Sequence, residues 1–118
     1  MAKKSANEER VYKLEIRKPV QMLGAETPMV GDRAMTVGDM IVQMIPGLAA
    51  SDNDKAVRIW RIGMAIDAGK DEFLPISELD FKLLKTLLSS GERPVWVKAN
   101  LVAVFEDAEQ RAGAALAD

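Results

Sequence analysis

The 118-residue sequence contains no cysteine and no histidine. The first absence rules out disulfides, thiol catalysis, thiolate metal sites and covalent haem attachment. The second removes the commonest general base, the commonest zinc ligand and every Ser-His triad. Phosphate-binding patterns are absent as well, since neither GxGxxG nor GxxxxGK[ST] occurs, and there is no GxSxG nucleophile elbow. Charge is nearly balanced, with 16 Lys plus Arg against 18 Asp plus Glu, a net of −2 and a pI near 5.2. Such a balance provides no bulk field for nucleic acid or an anionic membrane. No apolar segment follows the polar start AKKSANEER, and no uninterrupted apolar run approaches the length of a membrane span. The expectation is a cytoplasmic protein with no membrane partner, no catalytic residue, no metal and no cofactor.

What is present is ordinary globular composition, 48% hydrophobic and 29% charged, at the size of one domain. Residues 1–9 read as a flexible N-terminal arm, 10–111 as a single globular domain and 112–118 as an Ala-rich tail. Tyr12, Leu14 and Ile16 alternate with Lys13, Glu15 and Arg17, the period of a half-buried strand, which Pro19 ends or confines to an edge. Residues 20–35 carry the turn formers Gly24, Pro28, Gly31 and Asp32, with room for a short second strand over 28–30.

Four helices follow. Thr36 and Asp39 form a capping box ahead of a stripe of Val37, Met40, Ile41, Met44 and Ile45, which Pro46-Gly47 stops. A second helix starts at Ser51 or Asp52 and runs to Ala68, with Gly69 as its C′ residue, Ile59, Ile62 and Ile66 on one face, and Trp60 and Met64 at the flank. Residues 73–76 form a short extended piece broken by Pro75, able to pair with the first strand. Ser77 and Asp80 cap a third helix to Ser90, with Leu84, Leu87 and Leu88 inward and Gly91 closing it. Pro94 opens a fourth through about Arg111, striped by Val97, Leu101, Val104, Phe105 and Ala108. The predicted fold class is α+β: a mainly helical single domain of about four helices with an N-terminal strand or hairpin. Trp60, Leu84, Leu101 and Phe105 are expected in its core.

Candidate sites are few. Asp52-Asn53-Asp54 resembles the start of a calcium loop, but positions six and twelve are Val57 and Gly63, so the acids read as helix caps. Glu106, Asp107 and Glu109 fall opposite the last helix's stripe and read as a solvated face rather than a catalytic pair. Lys55, Arg58 and Arg61 recur every three residues beside Trp60; they read as the solvent side of an amphipathic helix, with phosphate contact the weaker alternative. Five of the seven methionines lie between residues 22 and 44. Flexible thioethers suit irregular cores and adaptable contacts alike. Core filling is one reading of Met35, Met40 and Met44; because three longer helices are available to supply the core, they also stand as the candidate exposed interaction surface.

In order and spacing, several segments resemble a widespread type of small phage and prophage protein of unsettled function. They are the extended segment ending at Lys18-Pro19, T-V-G-D-M-I at 36–41 and K-A-x-x-x-W-x-x-G-x-x-I at 55–66. P-I-S-x-x-D-x-x-L-L-K at 75–85 and V-K-A-x-L-V-x-x-F-E ending at Glu106 complete the set. The resemblance implies a phage context and transfers no functional residue. The resulting expectation is a non-enzymatic phage accessory protein acting through protein–protein contact in virion (tail or head) assembly or as a minor virion component. Its partner would be phage-encoded or a second copy of itself. The alternative is an early phage regulator or anti-defence protein that binds a host protein or nucleic acid.

Overall fold

The computed structural model describes residues 10–24 and 26–117, so the predicted arm over 1–9 lies outside the described residues. Strand β1 (Val11–Glu15) pairs antiparallel with β4 (Phe73–Ser77), Val11 facing Ser77 and Glu15 facing Phe73. Between them come a small hairpin, β2 (Met29–Val30) with β3 (Arg33–Ala34), then α1 (Val37–Met44), a 3-10 turn (Ile45–Gly47) and α2 (Asn53–Ala68). Helices α3 (Glu78–Ser89) and α4 (Val95–Ala117) follow β4. The fold is α+β and mainly helical, as the hydrophobic periods predict.

Each element begins where its local chemistry allows. At α1 the Thr36 hydroxyl accepts the Asp39 N–H at 3.1 Å while the Asp39 carboxylate accepts the Thr36 N–H at 2.9 Å. Both halves of the capping box are therefore present. Asp52 caps α2 through the Lys55 N–H, and Ser77 caps α3 through the Asp80 N–H. Gly91 closes α3 with a left-handed φ of 77°, the conformation that favours glycine at C′. Gly69 differs: its φ is −74°, and a Cβ there would lie 2.8 Å from the Ala65 carbonyl oxygen. Close approach, not a left-handed turn, explains that glycine.

Three boundaries depart from expectation. Pro75 does not break β4, because a two-stranded sheet has only edge strands and a missing N–H can face outward there. β1 stops at Glu15, short of the predicted Arg17, and after a turn at residues 16–18 Pro19 forms an isolated antiparallel bridge with Thr36. The Ile16 and Lys18 carbonyls accept the Gly38 and Val37 N–H groups, and the Val20 N–H reaches the Met35 carbonyl. Residues 16–20 thus line up beside the start of α1. Finally, α4 continues past Arg111 to Ala117, through most of the predicted tail.

The core forms where β1 meets α3 and α4. Tyr12 stacks on Phe81 with ring centroids 4.0 Å apart, and Phe81 meets Phe105 edge-on at 5.4 Å. Leu14, Ile16, Leu84, Leu88, Leu101 and Val104 close around these rings. A second layer joins α1 to α2 through Ile41, Ile45, Ile59, Ile62 and Ile66.

Candidate functional site

The methionine surface expected on α1 is not there. Met40 is 4% exposed and belongs to the core, while Met35 and Met44 are partly buried against it. The reason is position: α1 packs on α2 and α4 and is hydrogen-bonded to residues 16–18, so its apolar stripe joins the core's two layers. Three longer helices do not make a short central one dispensable. Trp60 reverses the other way, being 55% exposed instead of buried. The buried arc of α2 is Ile59, Ile62, Gly63 and Ile66. A Cβ on Gly63 would lie 3.0 Å from Ile45 Cδ1, so α1 and α2 approach too closely to admit an indole beneath them. Trp60 stays on the rim.

The basic residues of α2 do not act together. Arg58 is clamped between two carboxylates, Nε to Asp54 at 3.0 Å and Nη1 to Asp80 at 2.9 Å. Both contacts raise its pKa further above the ordinary guanidinium value, Asp54 contributing most. Lys55 donates to the Ser51 hydroxyl. Neither Lys55 nor Arg61 forms an ion pair among the described residues. The central cation of the three is thus neutralised by carboxylates, which interrupts the basic stripe.

Another strongly perturbed group serves structure. The Arg33 guanidinium grips the Asp39 carboxylate with both terminal nitrogens, Nη2 at 2.9 Å. That pairing, with the Thr36 N–H and hydroxyl, holds the Asp39 carboxyl down to about 2. The acids of α4 are dispersed: Glu109 pairs with Lys85 at 2.7 Å and Asp107 lies 3.9 Å from Lys18. Among the described residues no group of three His, Cys, Asp or Glu side chains is placed to hold a metal ion. No described helix is long and apolar enough to cross a membrane.

A more apolar concavity lies elsewhere, between residues 18–23 and the first half of α4. It encloses about 480 Å³ and is lined by Leu23, Val37, Val95, Trp96, Ala99 and Ala103, with Lys18 among its polar residues. Asn100, 6% exposed, positions its wall. Its side-chain oxygen accepts the Gln21 N–H at 2.8 Å; its amide nitrogen donates to the Gln21 carbonyl at 3.0 Å and to the Trp96 carbonyl. The backbone leading to Leu23 is held to α4 by one side chain.

Across this groove α4 carries a second apolar face. Val97, Leu101, Val104 and Phe105 point into the core, yet Val95 is 85% and Val102 51% exposed, and Leu23 beside them is 99% exposed. Reading residues 95–105 for a stripe finds the buried face and overlooks this one. The available signal is that only Lys98 and Asn100 are polar in that stretch of eleven. A helix apolar on all sides needs cover on all sides.

No protein-family model, curated protein or solved structure matches this chain.

Proposed function

We infer that this chain is a non-enzymatic phage accessory protein that works by protein–protein contact in virion assembly. The carrying observation is the uncovered apolar face of α4 and the adjoining groove at Leu23, Val95 and Trp96. Exposed apolar ground of this kind marks interaction sites in monomeric proteins. The occupant of the groove is a phage-encoded assembly protein presenting an apolar segment, with a carboxylate at its border to meet Lys18. Proximity of the Asn100 clasp favours such contact energetically, because a wall that is already fixed loses little freedom on binding. The phage setting rests on the resemblance in segment order.

The test is genetic and physical together. In a phage deleted for this chain, the wild-type protein supplied in trans restores particle yield, counted by electron microscopy, and infectious titre. Leu23→Glu with Val95→Glu folds normally, since both positions are exposed, and fails to restore either. Full restoration by that double variant overturns the assembly reading through this groove.

A further inference from the structure

The register of the β1–β4 sheet fixes which backbone groups face outward along its two edges. The Ile16 N–H donates to the Glu72 carbonyl at 3.1 Å, one step beyond the Glu15–Phe73 pair. Antiparallel pairs alternate between hydrogen-bonded and non-hydrogen-bonded. Tyr12–Ile76 and Leu14–Leu74 are therefore hydrogen-bonded, while Val11–Ser77, Lys13–Pro75 and Glu15–Phe73 turn their backbone groups outward. Lys13–Pro75 is the middle pair of these five-residue strands. At the middle of the β4 edge, Pro75 has no N–H to offer. At the middle of the β1 edge, the Lys13 carbonyl accepts Arg111 Nη2 at 2.7 Å. That guanidinium also lies 4.7 Å from the centre of the Phe73 ring.

We propose that Pro75 and Arg111 close the two edges of the sheet to strand addition by a second copy of the chain. Unpaired edge strands are templates for such pairing. About a two-fold axis perpendicular to the sheet, β4 would meet β4 of the copy antiparallel, with position 75 opposite itself and Phe73 opposite Ser77. An outward-facing residue on that axis exchanges two N–H to carbonyl bonds with its twin. Proline makes neither, so the centre of the added pairing is empty of bonds. The β1 edge is barred differently. An incoming strand must first take the Lys13 carbonyl from Arg111, which the Phe73 ring helps to hold in place. Both blocks fall on one cross-strand pair, where each interrupts the run of bonds an added strand could make. The assignment is independent of the α4 groove.

Pro75→Thr tests the first block, because it restores the donor with a residue suited to strands. Size-exclusion chromatography with light scattering, run from about 1 to about 300 μM, reads the outcome. The variant's mass rises from the 12.9 kDa monomer toward twice that value. Its Phe73 and Ser77 amides become protected from hydrogen exchange as concentration increases. Two restored bonds tighten this pairing about ten- to a hundredfold over the wild type. In the wild type those two amides exchange at the same rate at every concentration. Pro75→Ala restores the donor alone and reports the same change should the threonine variant fail to fold. Association stops at the dimer, because Arg111 still closes the β1 edge of each copy. Arg111→Met keeps a long side chain against Phe73 but removes the donor. Added to Pro75→Thr, it opens both edges and the mass climbs past the dimer. Monomeric Pro75→Thr and Pro75→Ala proteins overturn the Pro75 assignment, as does concentration-dependent protection of Phe73 and Ser77 in the wild type. A combined variant that halts at the dimer overturns the assignment of Arg111.

Discussion

The Asn100 side chain binds both backbone polar groups of Gln21, accepting its N–H at 2.8 Å and donating to its carbonyl at 3.0 Å. The pairing imitates a strand neighbour across a separation of 79 residues, where the chain forms no sheet. It is also why an amide occupies a buried position on α4. An exposed Asn would be ordinary; a buried one must satisfy its hydrogen bonds, and this one does.

Asn100→Leu should therefore destabilise the fold although it adds apolar surface. It strands the Gln21 N–H and carbonyl, each part-buried, at a cost of about 2–3 kcal/mol in all. Urea denaturation measures the loss. Hydrogen exchange at the Gln21 amide should accelerate well beyond that of core amides, because the segment opens locally. Equal acceleration everywhere would mean that the clasp is an ordinary core contact.

Leu84→Ala and Phe105→Ala should each cost roughly 2–5 kcal/mol, since both side chains are almost fully enclosed. Trp60→Ala should cost less than about 1 kcal/mol despite removing the largest side chain in α2, because most of the indole is already in water. Thermal melts of the three variants rank them. A Trp60 loss equal to that of Phe105 would contradict the α2 packing.

Much of this architecture is legible in the residues. Alternation marks β1 with Tyr12, Leu14 and Ile16 inward, and Thr36, Asp52 and Ser77 announce three helix starts. What periodicity cannot convey is which apolar side chains find a neighbour. Met40 and Trp60 illustrate this, since both belong to or flank apolar stripes. One is covered because α1 lies between α2 and α4; the other is bare because Gly63 lets Ile45 come too near. The α4 groove was hidden for a related reason. A stripe that satisfies the core draws attention from a second stripe on the same helix. The clasp on Gln21 joins residues that no local pattern relates.

Replacing Met40 by Gln should destabilise by about 2–4 kcal/mol, combining lost packing with an unpartnered amide in the core. Met44→Gln should cost about 1 kcal/mol or less, because that side chain is only partly covered and its amide can reach water. Separate melts of the two variants provide the comparison. Near-equal small effects would return α1 to the surface.

Acid stability should carry a signature of Asp39. Its carboxyl is held at about 2 in the fold, chiefly by Arg33, and ordinarily titrates near 3.8. A lowered folded pKa contributes stability that is fully present above the unfolded value and is lost as pH falls through the folded one. The loss therefore runs from about pH 4 to about pH 2, with roughly 1–2 kcal/mol at stake once screening at the exposed Arg33 is allowed for. Asp39→Asn should be less stable than wild type at neutral pH, and the gap should narrow through that window. A constant gap from pH 7 to pH 2 would assign the effect to the cap geometry alone.

A close backbone contact between residues 16–18 and α1 occurs at Gly38. Its N–H donates to the Ile16 carbonyl at 2.9 Å. A Cβ built there would lie 2.8 Å from that same oxygen, 3.0 Å from Ile66 Cγ2 and 3.1 Å from Ile16 Cβ. The first of these neighbours is backbone and cannot rotate away. Gly38→Ala, which ordinarily strengthens a helix interior by up to about 1 kcal/mol, should here destabilise by about 1–3 kcal/mol as α1 is pushed off residues 16–18. Shortening Ile66 to Val in the same background removes only Cδ1, leaves Cγ2 and all three contacts in place, and should recover none of the loss. Gly113→Ala, where nothing lies within 4 Å, is the control and should be neutral or stabilising. Urea midpoints of the three variants test the arrangement. A Gly38→Ala protein as stable as the Gly113→Ala one would mean that α1 does not sit against Ile16.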